Sequence, residues 1–161
     1  MLLTKSCIYA LRSSVYLARQ DDDSYTTIKE LSDELNISFH FLTKVLQQLT
    51  KQELLKSCQG PNGGVKLAID ASEITFLDIV HTVEGGHILS ECALGLPGCG
   101  ELAPCPLHKH WSGLKTGLRE MMGNVTIAEL AARKNNHLLS NTTDSPKNTE
   151  TFLTINKIKY T

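Results

Sequence analysis

No apolar run in this chain reaches the ~18 consecutive residues that a membrane span requires. The opening MLLTKSCIYALRSS lacks the charged-then-apolar build and cleavage site of a secretory leader, so a cytoplasmic setting with reduced thiols is expected. Excess charge is missing too. Sixteen Lys and Arg against seventeen Asp and Glu leave a formal net charge of −1, so any nucleic-acid contact has to be a local patch. Five cysteines, an odd number, do not make a simple disulfide framework. There is no phosphate loop, no Cys–His pair with a third orienting group and no substrate-sized second domain, so catalysis is not expected.

What is present is concentrated in one run, ECALGLPGCGELAPCPLHKHW, which holds Cys92, Cys99 and Cys105. Six residues separate the first pair and five the second. Gly and Pro make the run a loop, and a loop can aim three thiolates at one point. In a reducing compartment that pattern points to a soft metal or an iron–sulfur cluster, with a fourth ligand supplied from elsewhere. Two blander readings stand beside it. Structural zinc favours tight Cys-x-x-Cys pairs, which these spacings do not offer. A thiol switch would join two of the three in a reversible disulfide.

The rest of the chain reads as mainly helical. Residues 4–19 carry Ile8, Leu11, Val15 and Ala18 at helical spacing, and Asp21, Asp22 and Asp23 form a solvated break. Thr27 with Glu30 is a capping box for a short helix bearing Ile28, Leu31 and Leu35, which Asn36 can end in left-handed geometry. Ser38 is expected to cap a third helix whose inward face is Leu42, Val45, Leu46 and Leu49. Two short helices joined by about three residues make a helix-turn-helix. Strands at Leu54–Cys58 and Val65–Ile69 around Gly60–Gly64 add a hairpin, and the whole is a winged helix. Cys58 reads as a small buried residue of that hairpin. Thr75 and Asp78 open a helix through Glu84, stopped by Gly85 and Gly86. A longer helix from Pro106 to about Met122 carries Leu107, Trp111, Leu114, Leu118 and Met121 in steps of four and three, a short coiled-coil seam. Thr126 and Glu129 cap a last helix, and Ser140–Glu150 has the composition of a disordered tail. The expected organisation is a winged helix-turn-helix domain at 1–70, a connecting helix and cysteine loop at 71–104, the long helix and final short helix at 105–139, and a flexible tail at 140–161.

The third helix turns His40, Thr43, Lys44, Gln47 and Lys51 away from its core face. A recognition helix enters the major groove with its N-terminal part against base edges, which makes Ser38, His40, Thr43 and Lys44 the first candidates for DNA contacts, with Gln47 placed to read adenine. Thr27, at the head of the preceding helix, joins them. Between Ser38 and Leu67, Lys44, Lys51, Lys56 and Lys66 face a single acid, Glu53, a local excess suited to a phosphate backbone. The wing tip offers backbone amides at Gly60, Gly63 and Gly64, with Asn62 able to reach a minor groove. Of Phe39 and Phe41, one is expected to be buried.

The pieces MLLTKSCIYALRS, IKELSDELNIS, FLTKVLQQL, GPNGGVKLA, FLDIVHTVEG, the three-cysteine loop and TIAEL together resemble the Rrf2 family of bacterial transcriptional regulators, of the IscR and NsrR type, over roughly residues 1–135. The resemblance implies a cytoplasmic homodimer on double-stranded promoter DNA, acting as a repressor, with the helix after the cysteine loop paired to its mate. It implies a 2Fe-2S or 4Fe-4S cluster that senses redox state, nitric oxide or iron–sulfur status. By position, Cys92, Cys99 and Cys105 carry over as cluster ligands. His108, three residues after the last cysteine and three before Trp111, carries over as the fourth. Another branch of the family takes its fourth ligand from the first helix of the partner. The matching position here is Ile8, which cannot bind iron, so Cys7 ranks next, then His110 or Glu91. Members without a cluster keep a thiol-switch or small-molecule-responsive regulator open, as they do a zinc-stabilised DNA-binding protein.

Overall fold

The computed structural model describes residues 3–20, 24–60, 63–96, 105–133 and 139. Its elements run α1 Lys5–Leu17, α2 Ile28–Leu35, α3 Phe39–Lys51, β1 Leu55–Cys58, β2 Gly64–Leu67, α4 Phe76–Glu84, α5 His87–Ser90, α6 His108–Asn124 and α7 Ile127–Ala132. The fold is mostly helical, with one two-stranded antiparallel sheet in which Leu55 pairs with Leu67 and Cys58 with Gly64. Among the described residues no helix is long and apolar enough to cross a membrane. The acidic break at 21–23, Asn62, Cys99 and the tail at 140–161 lie outside the described residues.

Local chemistry accounts for most helix ends. Thr27 accepts from the Glu30 amide at the head of α2, and Asn36 closes that helix with φ 49°. Thr75 with Asp78, and Thr126 with Glu129, form complete capping boxes at α4 and α7. An antiparallel bridge between Thr75 and Thr126 joins the starts of these two helices. Ser38 occupies the N-cap of α3, but its side chain makes no capping bond. The long helix begins at His108 rather than Pro106 and runs to Asn124. α5 follows the glycine stop after α4 and has no counterpart in the sequence pattern, because four residues give no period to read.

The main core packs Leu31, Leu35, Leu42, Val45, Leu46 and Leu49 of the helix-turn-helix against α1, α4 and α7. A second cluster joins Cys7, Val80, Leu89 and Met122. α1 buries a different face from the one its large side chains suggest. Cys7, Ala10, Ser13, Ser14, Val15 and Leu17 are buried, whereas Ile8, Leu11 and Ala18 are half-exposed. α1 lies among α2, α3, α4 and α7, and small residues let several helices approach at once. Arg12 on α1 and Arg19 in the turn after it bind this segment to its neighbours. Arg12 Nη2 donates to Leu35 O at the end of α2 (3.0 Å) and to Leu139 O. Arg19 donates to Ala131 O (2.9 Å) and Arg133 O (2.7 Å) at the end of α7. Each guanidinium thereby satisfies carbonyls that a helix C-terminus leaves without partners.

Candidate DNA interface and candidate metal centre

α3 and the wing face each other across an open groove lined by Thr27, Phe39, Thr43, Gln47, Lys51, Cys58, Gly60, Gly63 and Gly64. His40 and Lys44 are exposed beside it. Thr43 and Thr27 are already engaged. Thr43 Oγ1 donates to Phe39 O at 2.8 Å, and Thr27 Oγ1 holds the α2 amide. Neither Phe39 (46% exposed) nor Phe41 (38% exposed) is buried, because Leu42, Val45, Leu46 and Leu49 already fill the inner face of α3. Phe41 instead rests edge-on against Tyr9, ring centroids 5.6 Å apart. Cys58 is exposed too. In the strand LKSC only Leu55 turns inward, and Cys58 stands on the groove wall.

The wing is attached more firmly than its glycines suggest. Val65 N donates to Thr26 O (2.9 Å) and Thr26 N to Val65 O (3.0 Å), so the segment before α2 adds a bridge to the hairpin. A Cβ on Gly64 would lie 2.2 Å from Thr26 O, which is why only glycine fits there. The Gly63 amide donates to Gly60 O at 2.9 Å and is spent within the tip. The four lysines do not form one patch. Lys44 is exposed on α3 and Lys51 lines the groove, while Lys56 and Lys66, directly opposite each other on the hairpin, line a separate pocket with Leu17, Gln20 and Ser24. Lys66 Nζ sits 5.2 Å from the Tyr25 ring centroid.

At the other candidate site, Cys92, Cys105 and His108 line one small pocket, walled by Leu94, Leu107 and Trp111. Cys92 opens a turn in which Gly95, at φ +66°, donates its amide to Cys92 O (3.0 Å), and the Leu94 amide donates to Cys92 Sγ (3.4 Å). The His108 amide donates to Cys105 O at 2.9 Å, which sets the imidazole at the head of α6 beside the last cysteine. Among the described residues no three His, Cys, Asp or Glu side chains stand together as a metal-binding group, and the third cysteine, Cys99, lies outside those residues. The pocket does bring two thiols and an imidazole to one apolar wall, and these are donor types that soft metals take.

Three side chains one helical turn apart on α6 hold the approach to Cys92. Trp111 Nε1 donates to Glu91 O (3.0 Å), Lys115 Nζ to Ser90 O (3.2 Å) and Glu91 O (3.4 Å), and Arg119 Nη2 to Leu89 O (3.4 Å). Trp111 and Leu118 thus turn toward their own chain, with Leu118 packed on the second core cluster, while Leu107, Leu114 and Met121 are 42%, 54% and 45% exposed. Cys7 is remote in kind from the loop thiols. It is fully buried, and burial followed by the neighbouring Glu84 carboxylate pushes its thiol up to about 12. Glu84 also accepts from the Thr4 amide at the start of α1 (2.8 Å).

Comparison with known proteins agrees with this architecture. Residues 3–133 match the Rrf2 family, described as an iron-dependent transcriptional regulator. The HTH-type transcriptional regulator NsrR of Oceanobacillus iheyensis is 39% identical over 92 residues, which is 57% of this chain and 63% of that protein. The HTH-type transcriptional regulator IscR of Sodalis glossinidius is 28% identical over 134 residues, 83% of this chain and 81% of that protein. Among solved structures, the oxidized form of Staphylococcus aureus CymR superposes with a TM-score of 0.65 at 25% identity, covering 83% of this chain and 98% of the other. These relatives are regulators of transcription rather than enzymes. With a helix-turn-helix, a bridged wing and a family match that runs from before the first helix to the end of the last, this chain belongs to the Rrf2 family of DNA-binding transcriptional regulators.

Proposed function

We propose that the protein is a homodimeric repressor whose grip on promoter DNA is set by an iron–sulfur cluster held by Cys92, Cys99, Cys105 and His108. The observation that carries this reading is the shared pocket of Cys92, Cys105 and His108, with a backbone amide already directed at the Cys92 sulfur. When bound, such a cluster supplies an inorganic core that oxidants or nitric oxide can alter, its potential tuned by hydrogen bonds to sulfur and by burial. The protein's part is positional. The α6 side chains fix the carbonyls of Leu89, Ser90 and Glu91, and thereby the start of the cysteine turn. α6 packs on α4, and α4 packs on both α1 and α3, so a change in the loop has a contiguous route to the reading helix. A dimer reads two half-sites spaced by the ~34 Å DNA repeat, so a displacement of a few ångströms lowers affinity. Coupling of ~1–3 kcal/mol changes occupancy about 5- to 150-fold.

Purification without oxygen tests the reading. Coloured protein containing iron and acid-labile sulfide, which loses both in Cys99→Ala and then binds its promoter differently, is the expected result. Stoichiometric zinc, or colourless protein whose DNA binding is indifferent to all three loop cysteines, overturns it. A second reading, a cluster-free thiol-responsive regulator, draws on the likeness to a CymR structure described as an oxidized form. It requires colourless protein whose DNA affinity responds to oxidant through Cys92 and Cys105.

A further inference from the structure

The first turn of the reading helix, Phe39–Leu42, exposes two aromatic side chains beside the polar ones. Phe39 is the first residue of α3, nearly half-exposed, with its ring set edge-on to His40, centroids 5.8 Å apart. It lines the same groove as Thr43 and Gln47, which follow at intervals of one helical turn. Phe41, the other exposed phenylalanine of this turn, already has an aromatic partner in Tyr9. Thr43 has committed its hydroxyl proton to Phe39 O, so toward a base it retains a methyl group and an oxygen lone pair but no donor. A side chain that exposes apolar surface where a recognition helix meets base edges has one apolar complement in the major groove, the C5-methyl group of thymine.

We propose that Phe39 is a specificity-determining residue that reads thymine through its 5-methyl group, with the Thr43 methyl group completing the contact. The assignment rests on α3 being the DNA-reading helix. It adds a shape-based apolar reading to the hydrogen-bonding one supplied by His40, Lys44 and Gln47. Selectivity at that base pair then depends on a methyl group, which neither salt nor the neighbouring lysines can mimic.

The test uses the full chain and a duplex chosen by the wild-type protein from a random pool. Each thymine of that duplex is replaced in turn by deoxyuridine, which removes only the methyl group. The wild type should lose about fourfold in affinity at one thymine per half-site, the weight of one buried methyl group. Phe39→Ala should bind the thymine duplex more weakly and be indifferent to that replacement. Phe39→Leu should restore part of the discrimination. Lys51→Ala, a phosphate-type contact, should weaken binding while leaving the thymine-to-uracil ratio unchanged. If the wild type selects a duplex but tolerates every deoxyuridine, or if Phe39→Ala keeps the full uracil penalty, the Phe39 assignment fails and α3 remains the reader. If the wild type enriches no duplex at all, both fall together.

Discussion

Cys7 sits at zero exposure on α1 with its thiol pushed up to about 12, first by burial and then by the Glu84 carboxylate beside it. An acid held protonated in the folded chain above its ordinary value of 9.0 adds stability that is fully present below pH 9 and is lost as pH rises toward 12. The wild type should therefore lose stability relative to Cys7→Ala at about 1.4 kcal/mol per pH unit across that window. Urea midpoints of the two proteins at a series of pH values read this directly, and parallel curves would contradict it. The same protonation counts against Cys7 as a ligand of the proposed cluster, because the thiolate is the ligating form. Gly64 carries a second expectation at this scale. Thr26, whose carbonyl oxygen stands 2.2 Å from where a Cβ would be, is bonded to Val65 through both its N–H and its C=O and has no freedom to retreat. Gly64→Ala should cost ~1–3 kcal/mol, as overpacking does, and weaken DNA binding through the displaced wing. An unchanged melting temperature would count against that account.

From α6, Trp111, Lys115 and Arg119 donate to the carbonyls of Leu89, Ser90 and Glu91 at and just past the end of α5. Charged donors at a helix C-terminus also complement its dipole. Most of these bonds are exposed and long, so Lys115→Met with Arg119→Met should lower global stability by only ~1 kcal/mol. Their local effect should be larger: faster amide exchange at 89–95 and slower reassembly of the proposed cluster after its removal. Exchange that stays slow at Leu94 and Gly95 would show that the loop holds itself. How far such features could be read in advance depends on their range. The capping threonines Thr27, Thr75 and Thr126, the left-handed Asn36 and the apolar period of α3 act within a few residues and were legible, whereas Ser38 takes the N-cap position of α3 without a side-chain bond. The local spacing of Cys92, Cys105 and His108 matches their place around one pocket, while Cys99 lies outside the described residues. The bridge from Thr26 to Val65, the buried small face of α1, the exposure of Cys58 and the clamp on α5 are contacts across the fold, and no local period encodes them. Phe39 and Phe41 were misjudged for the same reason. A large apolar side chain is buried only if the core still has room, and the leucines and valine of α3 had already filled it.

For the molecule as a whole, one stretch of exposed apolar surface lies along α6. The stripe from Leu107 to Met121 is divided: Trp111 and Leu118 serve their own chain, and Leu107, Leu114 and Met121, seven residues apart, remain exposed. A seven-residue repeat of large apolar side chains is the pattern by which two helices pair. Gly113 and Gly117 flank Leu114 with open space beside them, which allows a second helix to approach closely. Pairing here would set the two copies of α3 at a fixed separation and place two cysteine sites beside the same interface, so that a loop change in either copy acts on the half-site spacing. Leu114→Glu puts a charge in the middle of that repeat. It should convert a dimer to a monomer in sedimentation and reduce affinity for a two-half-site duplex by at least about 100-fold, while single half-site binding stays within a few-fold, because α3 and the wing are untouched. Trp111→Ala, which alters the inward edge of the same stripe, should leave the dimer intact and loosen the Cys92 turn instead. A dimer that survives Leu107→Glu, Leu114→Glu and Met121→Glu together would move the interface off α6 and, with it, the route from the cysteine pocket to the DNA.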